Sequence, residues 1–178
     1  MRLNRYFLII VLFLNLSSHS LAQAPWERKD TPLDKLARNG IVLDRKTPEI
    51  ELVRTYGTPL GTKKDEVSID GYDFKDTVVF YQYPGLEIWY YYHKHPKKAW
   101  TSIVSVIVDS HDYQIGAGIK IGMSQKEFEK SFGNLMELKS EDDNLLHLTY
   151  TPFDAVHEQI HFFFEKSKLA KVTWSNWP

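Results

Sequence analysis

Residues 86–93 read Leu86-Glu87-Ile88-Trp89-Tyr90-Tyr91-Tyr92-His93, and residues 159–164 read Gln159-Ile160-His161-Phe162-Phe163-Phe164. Aromatic and β-branched residues at this density, in short runs bounded by Pro, Gly, Asp and Lys turns, predict antiparallel strands. With side chains alternating, Leu86, Ile88, Tyr90 and Tyr92 share one face and Glu87, Trp89, Tyr91 and His93 the other. In the second run Ile160, Phe162 and Phe164 oppose His161, Phe163 and Glu165. The isoleucine-bearing faces are the natural core. The opposite faces should be polar, yet they carry Trp89, Tyr91 and Phe163 with His93 and His161 between them.

Working outward, each run has the same surroundings. Val78-Val79-Phe80-Tyr81-Gln82-Tyr83-Pro84 precedes the first and Leu145-Leu146-His147-Leu148-Thr149-Tyr150-Thr151-Pro152 the second, and a last strand follows each, at 102–108 and 169–174. Further upstream stand Gly40-Ile41-Val42-Leu43 with a helix opened by Thr47-Pro48, and Gly118-Ile119-Lys120-Ile121 with a helix opened by Ser124. Thr47 is the expected N-cap with Pro48 at the first helical position, and Ser124 with Glu127 makes a capping box. Gly57 and Gly133 suit the left-handed residue that ends a helix. Ile50, Val53 and Tyr56, or Phe128 and Phe132, supply a buried stripe at helical spacing. The expected fold is therefore α+β, with two tandem units of a helix plus an antiparallel meander of roughly three strands. The boundaries are a signal peptide at 1–22, an N-terminal extension at 23–39, repeat unit one at 40–112 and repeat unit two at 113–178.

The Gly-Ile-x-Ile-Gly-Met-Ser lead-in at Gly118 to Ser124, the helix ending Phe132-Gly133 and the strand meander resemble the repeat of β-lactamase-inhibitor-type proteins and of small outer-membrane-assembly lipoproteins of the SmpA/BamE type. The resemblance implies helices packed on one face of a curved antiparallel sheet whose other face is free to bind a protein. The chain departs from both groups in having no cysteine, and so neither a lipid-attachment site nor the inhibitors' cysteines.

The N-terminus carries Arg2 and Arg5, then an apolar run of about ten residues from Tyr6 to Leu16, short of the roughly 20 that span a bilayer. Small-residue cleavage after Ala22 predicts a protein that starts at Gln23 and is periplasmic or secreted, without a lipid anchor. The whole chain is 178 residues, 43% apolar and 25% charged, which is ordinary globular composition. Without the leader, 20 basic residues face 23 acidic ones, a net charge near −3 that disfavours nucleic acid as a partner. With no cysteine, such a domain is held by its core alone.

Trp89, Tyr91, His93, His161 and Phe163 are the expected partner-binding residues, because large aromatics with polar tips on a free sheet face form interaction hot spots. The alternative is that residues 25–39 or a loop covers them as a second small core. The expected partner is an envelope or secreted protein, with no catalytic residue, metal or cofactor assigned. A small ligand or glycan on the same face is a further class.

The competing enzyme reading rests on His157-Glu158-Gln159-Ile160-His161, an H-E-x-x-H match that on a helix would bind zinc and supply a general base. A catalytic zinc needs a third protein ligand, and Glu165 is the sole carboxylate downstream. On a strand His157 and His161 would lie about 13 Å apart, too far to share one ion. Ser110-His111-Asp112 has triad residue types but adjacent residues rarely face one another, and His93-Lys94-His95-Pro96-Lys97-Lys98 reads as a solvated hairpin tip.

Overall fold

The computed structural model describes residues 30–68, 75–141, 145–153 and 157–177. The expected leader at 1–22 lies outside the described residues. From Thr31 onward the chain forms one compact unit. Its elements are α1 (Pro32–Asn39), α2 (Glu49–Tyr56), β1 (Gly61–Ser68), β2 (Lys75–Tyr83), β3 (Leu86–His93), β4 (Trp100–Val108), α3 (Gln125–Phe132), β5 (Glu137–Glu141), β6 (Leu145–Tyr150), β7 (Glu158–Glu165) and β8 (Lys168–Asn176). Short 3-10 turns at Gly116–Gly118 and Gly133–Leu135 flank α3.

The fold is α+β: an open eight-stranded antiparallel sheet in the order β1-β2-β3-β4-β8-β7-β6-β5, with helices on one face. Strands β1 to β4 make one meander and β5 to β8 another. They meet where β4 pairs with β8, Ser105 to Val108 against Ser175 to Val172. Every strand of the runs quoted above is present. Each meander nevertheless has four strands, one more than expected.

The additional strands are β1, Gly-Thr-Lys-Lys-Asp-Glu-Val-Ser, and β5, Glu-Leu-Lys-Ser-Glu. Both are sheet edges and both lack apolar alternation. Charged residues on an edge discourage further strand pairing, which is why these segments carry no strand signature in composition. A register shift between Leu138 and Ser140 interrupts β5 as well.

One core underlies the helices. Leu33 and Ala37 of α1, Leu52 of α2, and Phe128 and Phe132 of α3 join Ile88, Tyr90, Val106, Ile160, Phe162 and Trp174 in a single buried cluster. Phe128 packs 4.7 Å from Phe162 and 5.2 Å from Phe164, ring centre to ring centre. Each such large side chain, fully buried, contributes roughly 1.5–3 kcal/mol.

Helix α1 is fastened by polar contacts as well. Thr31 and Asp34 form a capping box, and the buried Tyr150 hydroxyl donates to Asp34 at 2.6 Å. The Trp174 indole N–H donates to the Ala37 carbonyl at 2.7 Å. This part of the 25–39 segment thus closes the core on the helix face and leaves the aromatic face alone.

Helix α2 departs from expectation in its register. It starts at Glu49 with Pro48 as N-cap and no side-chain cap; Thr47 instead offers its carbonyl to the Tyr90 hydroxyl. Ile50 is 74% exposed and Val53 44%, while Leu52 is fully buried. The inward face is Glu49, Leu52 and Tyr56, at spacings of three and four. Glu49 belongs to it because its carboxylate accepts the hydroxyls of Tyr81 and Tyr92, a pairing that hydrophobic periodicity does not weigh.

In α3, Ser124 caps as expected, accepting from the Glu127 N–H. Gly57 ends α2 with φ of 77°, as expected. Gly133 does not turn left-handed. Its φ of −56° carries the chain straight into the second 3-10 turn.

Leu52→Ala should cost about 2–5 kcal/mol and Ile50→Ala no more than about 0.5 kcal/mol, because only the first leaves a core cavity. Urea unfolding of the two variants checks this, and a larger loss in Ile50→Ala than in Leu52→Ala would show that the helix faces are reversed.

Candidate functional site

The strand register makes the helix-free face one continuous surface. One cross-strand row runs Lys63, Phe80, Trp89, Ser105, Ser175, Gln159, and the next Gly61, Gln82, Glu87, Ile107, Thr173, His161, Thr149, Glu137. Two clusters stand on it, one per meander, with the small side chains of Ser105, Thr173 and Ser175 between.

The first cluster centres on Trp89, half-buried. Its ring meets Phe80 at 4.6 Å and Trp177 at 5.8 Å, both edge-on, and its N–H donates to Glu87. Lys63 lies over Phe80 at 5.4 Å. Beneath them Val78, Tyr91 and Val104 form a small second core. Tyr91 is only 3% exposed, so it supports this surface from below and offers little area to a partner.

Asp76 organises this end of the face. Fully buried, it accepts from the Tyr91 hydroxyl, from the Lys94 N–H at 2.9 Å and from His93 Nδ1 at 2.9 Å. Burial pushes its carboxyl pKa upward, but these hydrogen bonds outweigh burial and hold it below the ordinary value. The ring of His93 is thereby oriented, with Trp100 at 5.5 Å from it and 5.3 Å from Tyr91.

The second cluster brings His161 and Phe163 of β7 against β6 and β8. His147 stacks on Phe163 at 4.3 Å, and Lys171 Nζ lies over the Phe163 ring, 4.4 Å from its centre. His147 Nε2 and His161 Nδ1 are 3.0 Å apart, with Thr149 Oγ1 at 3.0 Å from His161 and 3.4 Å from His147. One imidazole N–H donates to the other ring, so the accepting ring must be neutral and the two cannot both be protonated in this contact. Burial lowers the pKa of both, reinforced at His147 by Lys139 and Lys171 and at His161 by His147 and Lys139.

The structure therefore places Trp89, Tyr91 and His93 together and His161 with Phe163 in a second group on the same face. Phe80, Asp76, Trp100, His147, Lys171 and Trp177 were missed in the sequence. Alternation alone could have found Phe80 and His147, which face the same way as Trp89 and Phe163 on neighbouring strands. Nothing local marks Asp76 or Trp177, whose partners are set by tertiary folding.

The H-E-x-x-H segment is not helical: His157 precedes β7 and His161 lies within it. Among the described residues no group of three or more His, Cys, Asp or Glu could hold a metal ion, and no helix is long and apolar enough to cross a membrane. Ser110, His111 and Asp112 form an exposed turn in which Ser110 donates to Asp112 at 2.8 Å.

No family model matches the chain, and no curated protein matches it. Among solved structures, the crystal structure of the uncharacterized protein yfeY from Escherichia coli is similar at 16% identity and a TM-score of 0.38, covering 78% of this chain and 97% of that one.

Because the folded state lowers the pKa of His147 and His161, it binds fewer protons than the unfolded chain once the pH drops below about 6.5. The pair's contribution is complete above that value and is lost as the pH falls through the lowered pKa values. Asp76 stays ionised over this window. The urea midpoint should therefore fall between about pH 7.5 and about pH 5, and fall less in His147→Gln/His161→Gln. An equal fall in both proteins would exclude the histidine pair as the cause.

Proposed function

We propose that this chain is an exported, non-catalytic module that binds an envelope or secreted protein through the open face of its sheet. The observation that carries the reading is that Trp89 and Phe163, both half-buried aromatics, stand on the face that α1, α2 and α3 leave uncovered. Large aromatic rings held by their neighbours lose little entropy on binding and bury much area, which is how interface anchors work. His93 and His161 beside them are the polar contacts.

The leader pattern at 1–22 supports a periplasmic or secreted location. We further infer that the two meanders, each with a preceding helix, are copies of one ancestral unit. The parallel order of elements supports this, as does the pairing of equivalent last strands, β4 with β8. The resemblance to β-lactamase-inhibitor-type and SmpA/BamE-type repeats supports an inhibitor, immunity or envelope-assembly role within the same class.

Affinity capture from an envelope extract with the mature protein, beside a Trp89→Ala/Phe163→Ala variant shown to be folded, is the direct test. A partner retained by the parent and lost by the variant is expected. Equal capture by both would move the binding surface off this face.

A further inference from the structure

Around the sheet end from the open face lies a cavity that has His93 and Trp100 in its lining and otherwise belongs to the helix side. It has a volume of about 510 Å³ and lies over the first meander, between the start of α2 and the β3–β4 hairpin. Cavities of roughly 300–1,000 Å³ with a few convergent polar groups over an apolar surface are the usual form of small-molecule sites.

Thr77, Val79 and Tyr92 make its floor. The register sets Lys64 opposite Val79 and Thr77 opposite Tyr92, so these residues share the helix side of the sheet with Tyr90. Glu49 stands on one wall at the first position of α2. Two hydroxyls from the sheet, those of Tyr81 and Tyr92, hold its carboxylate in place, and a carboxylate with about four acceptor sites keeps about two for a ligand. Across the floor Lys64 is exposed and has no ion pair among the described residues, and Lys94 lines the rim. In the floor itself the Thr77 hydroxyl is buried with no hydrogen-bond partner among the described residues. A buried hydroxyl without a partner is costly, and a native one calls for an explanation.

We propose that this cavity binds an acidic saccharide of one or two rings. A sugar hydroxyl both donates and accepts, so a single ring answers the acceptor-only Glu49, the donor-only Lys64 and the unpartnered Thr77 hydroxyl at once. Its C–H face lies on Val79 and the Tyr92 ring, the apolar part of the floor. The lining holds two ammonium groups, the His93 imidazole that Asp76 engages, and one carboxylate, which hydroxyl donors already engage. The excess positive charge selects a sugar that carries a carboxylate of its own.

The test is calorimetric titration of the purified protein with cellobiouronic acid, a glucuronosyl-glucose disaccharide, and with neutral cellobiose as its match. The acidic disaccharide should bind about fivefold or more tightly than the neutral one, the effect of one exposed charge contact. Lys64→Glu, on an exposed side chain, should abolish that preference. Thr77→Val keeps the β-branched shape and removes a hydroxyl that has no partner in the free protein; it should leave the melting temperature unchanged or higher while weakening binding. Absence of binding by either sugar, equal affinity for both, or binding unchanged in both variants overturns the proposal.

Discussion

Strand β4 against β8 is the join on which everything else rests. Ser105, Val106, Ile107 and Val108 meet Ser175, Trp174, Thr173 and Val172, and among the described residues no other strand pairing links the two meanders. Val106, Val108, Val172 and Trp174 are fully buried beneath the helices, while the alternate positions face outward. A slip of one residue would bring the buried set out and the polar set in, so the hydrophobic pattern locks the register. Trp174 also carries the hydrogen bond to α1. The join thus fixes the helix layer, the shared core and the alignment of the two aromatic clusters on the other face.

Tyrosine hydroxyls meeting carboxylates provide the second level of organisation. Asp34 of α1 receives Tyr150, Glu49 of α2 receives Tyr81 and Tyr92, and Asp76 of β2 receives Tyr91. A buried tyrosine hydroxyl usually finds a partner, and for these four tyrosines it is a carboxylate on a helix or a neighbouring strand, whereas Tyr90 uses the Thr47 carbonyl. The aromatic rings fill the sheet and their tips fasten what lies over it. With no cysteine in the chain, these contacts and the core hold the fold without disulfides.

Much of this was legible in the residue order. The strands rich in Val, Tyr, Phe and Trp were readable because they are half-buried and alternate. The alternation also assigned Ile88 and Phe162 inward and Trp89 and Phe163 outward. β1 and β5 were not readable, because an edge strand is selected for charge and irregularity. The buried side of α2 was misjudged because two apolar residues, Ile50 and Val53, lie outward, whereas a glutamate lies inward against tyrosines from distant strands. Of the candidate site, Trp89, His161 and Phe163 were found as outward-facing residues. Tyr91 faces the same way but is sealed by Val78, Val104 and its bond to Asp76, a burial that depends on neighbours contributed by other strands. The pairing of His161 with His147 likewise belongs to the register of β6 with β7.

The position of β8 also bears on how the molecule is made. It is the last strand in chain order yet it lies inside the sheet, between β4 and β7. While the chain emerges N-terminus first, β4 therefore waits with one side unpaired, and the segment Ile103-Val104-Ser105-Val106-Ile107-Val108 is uncharged and, apart from Ser105, apolar and β-branched. Such segments self-associate when their edges are bare. The nascent chain is accordingly most prone to self-association after the first meander is complete and before β8 arrives.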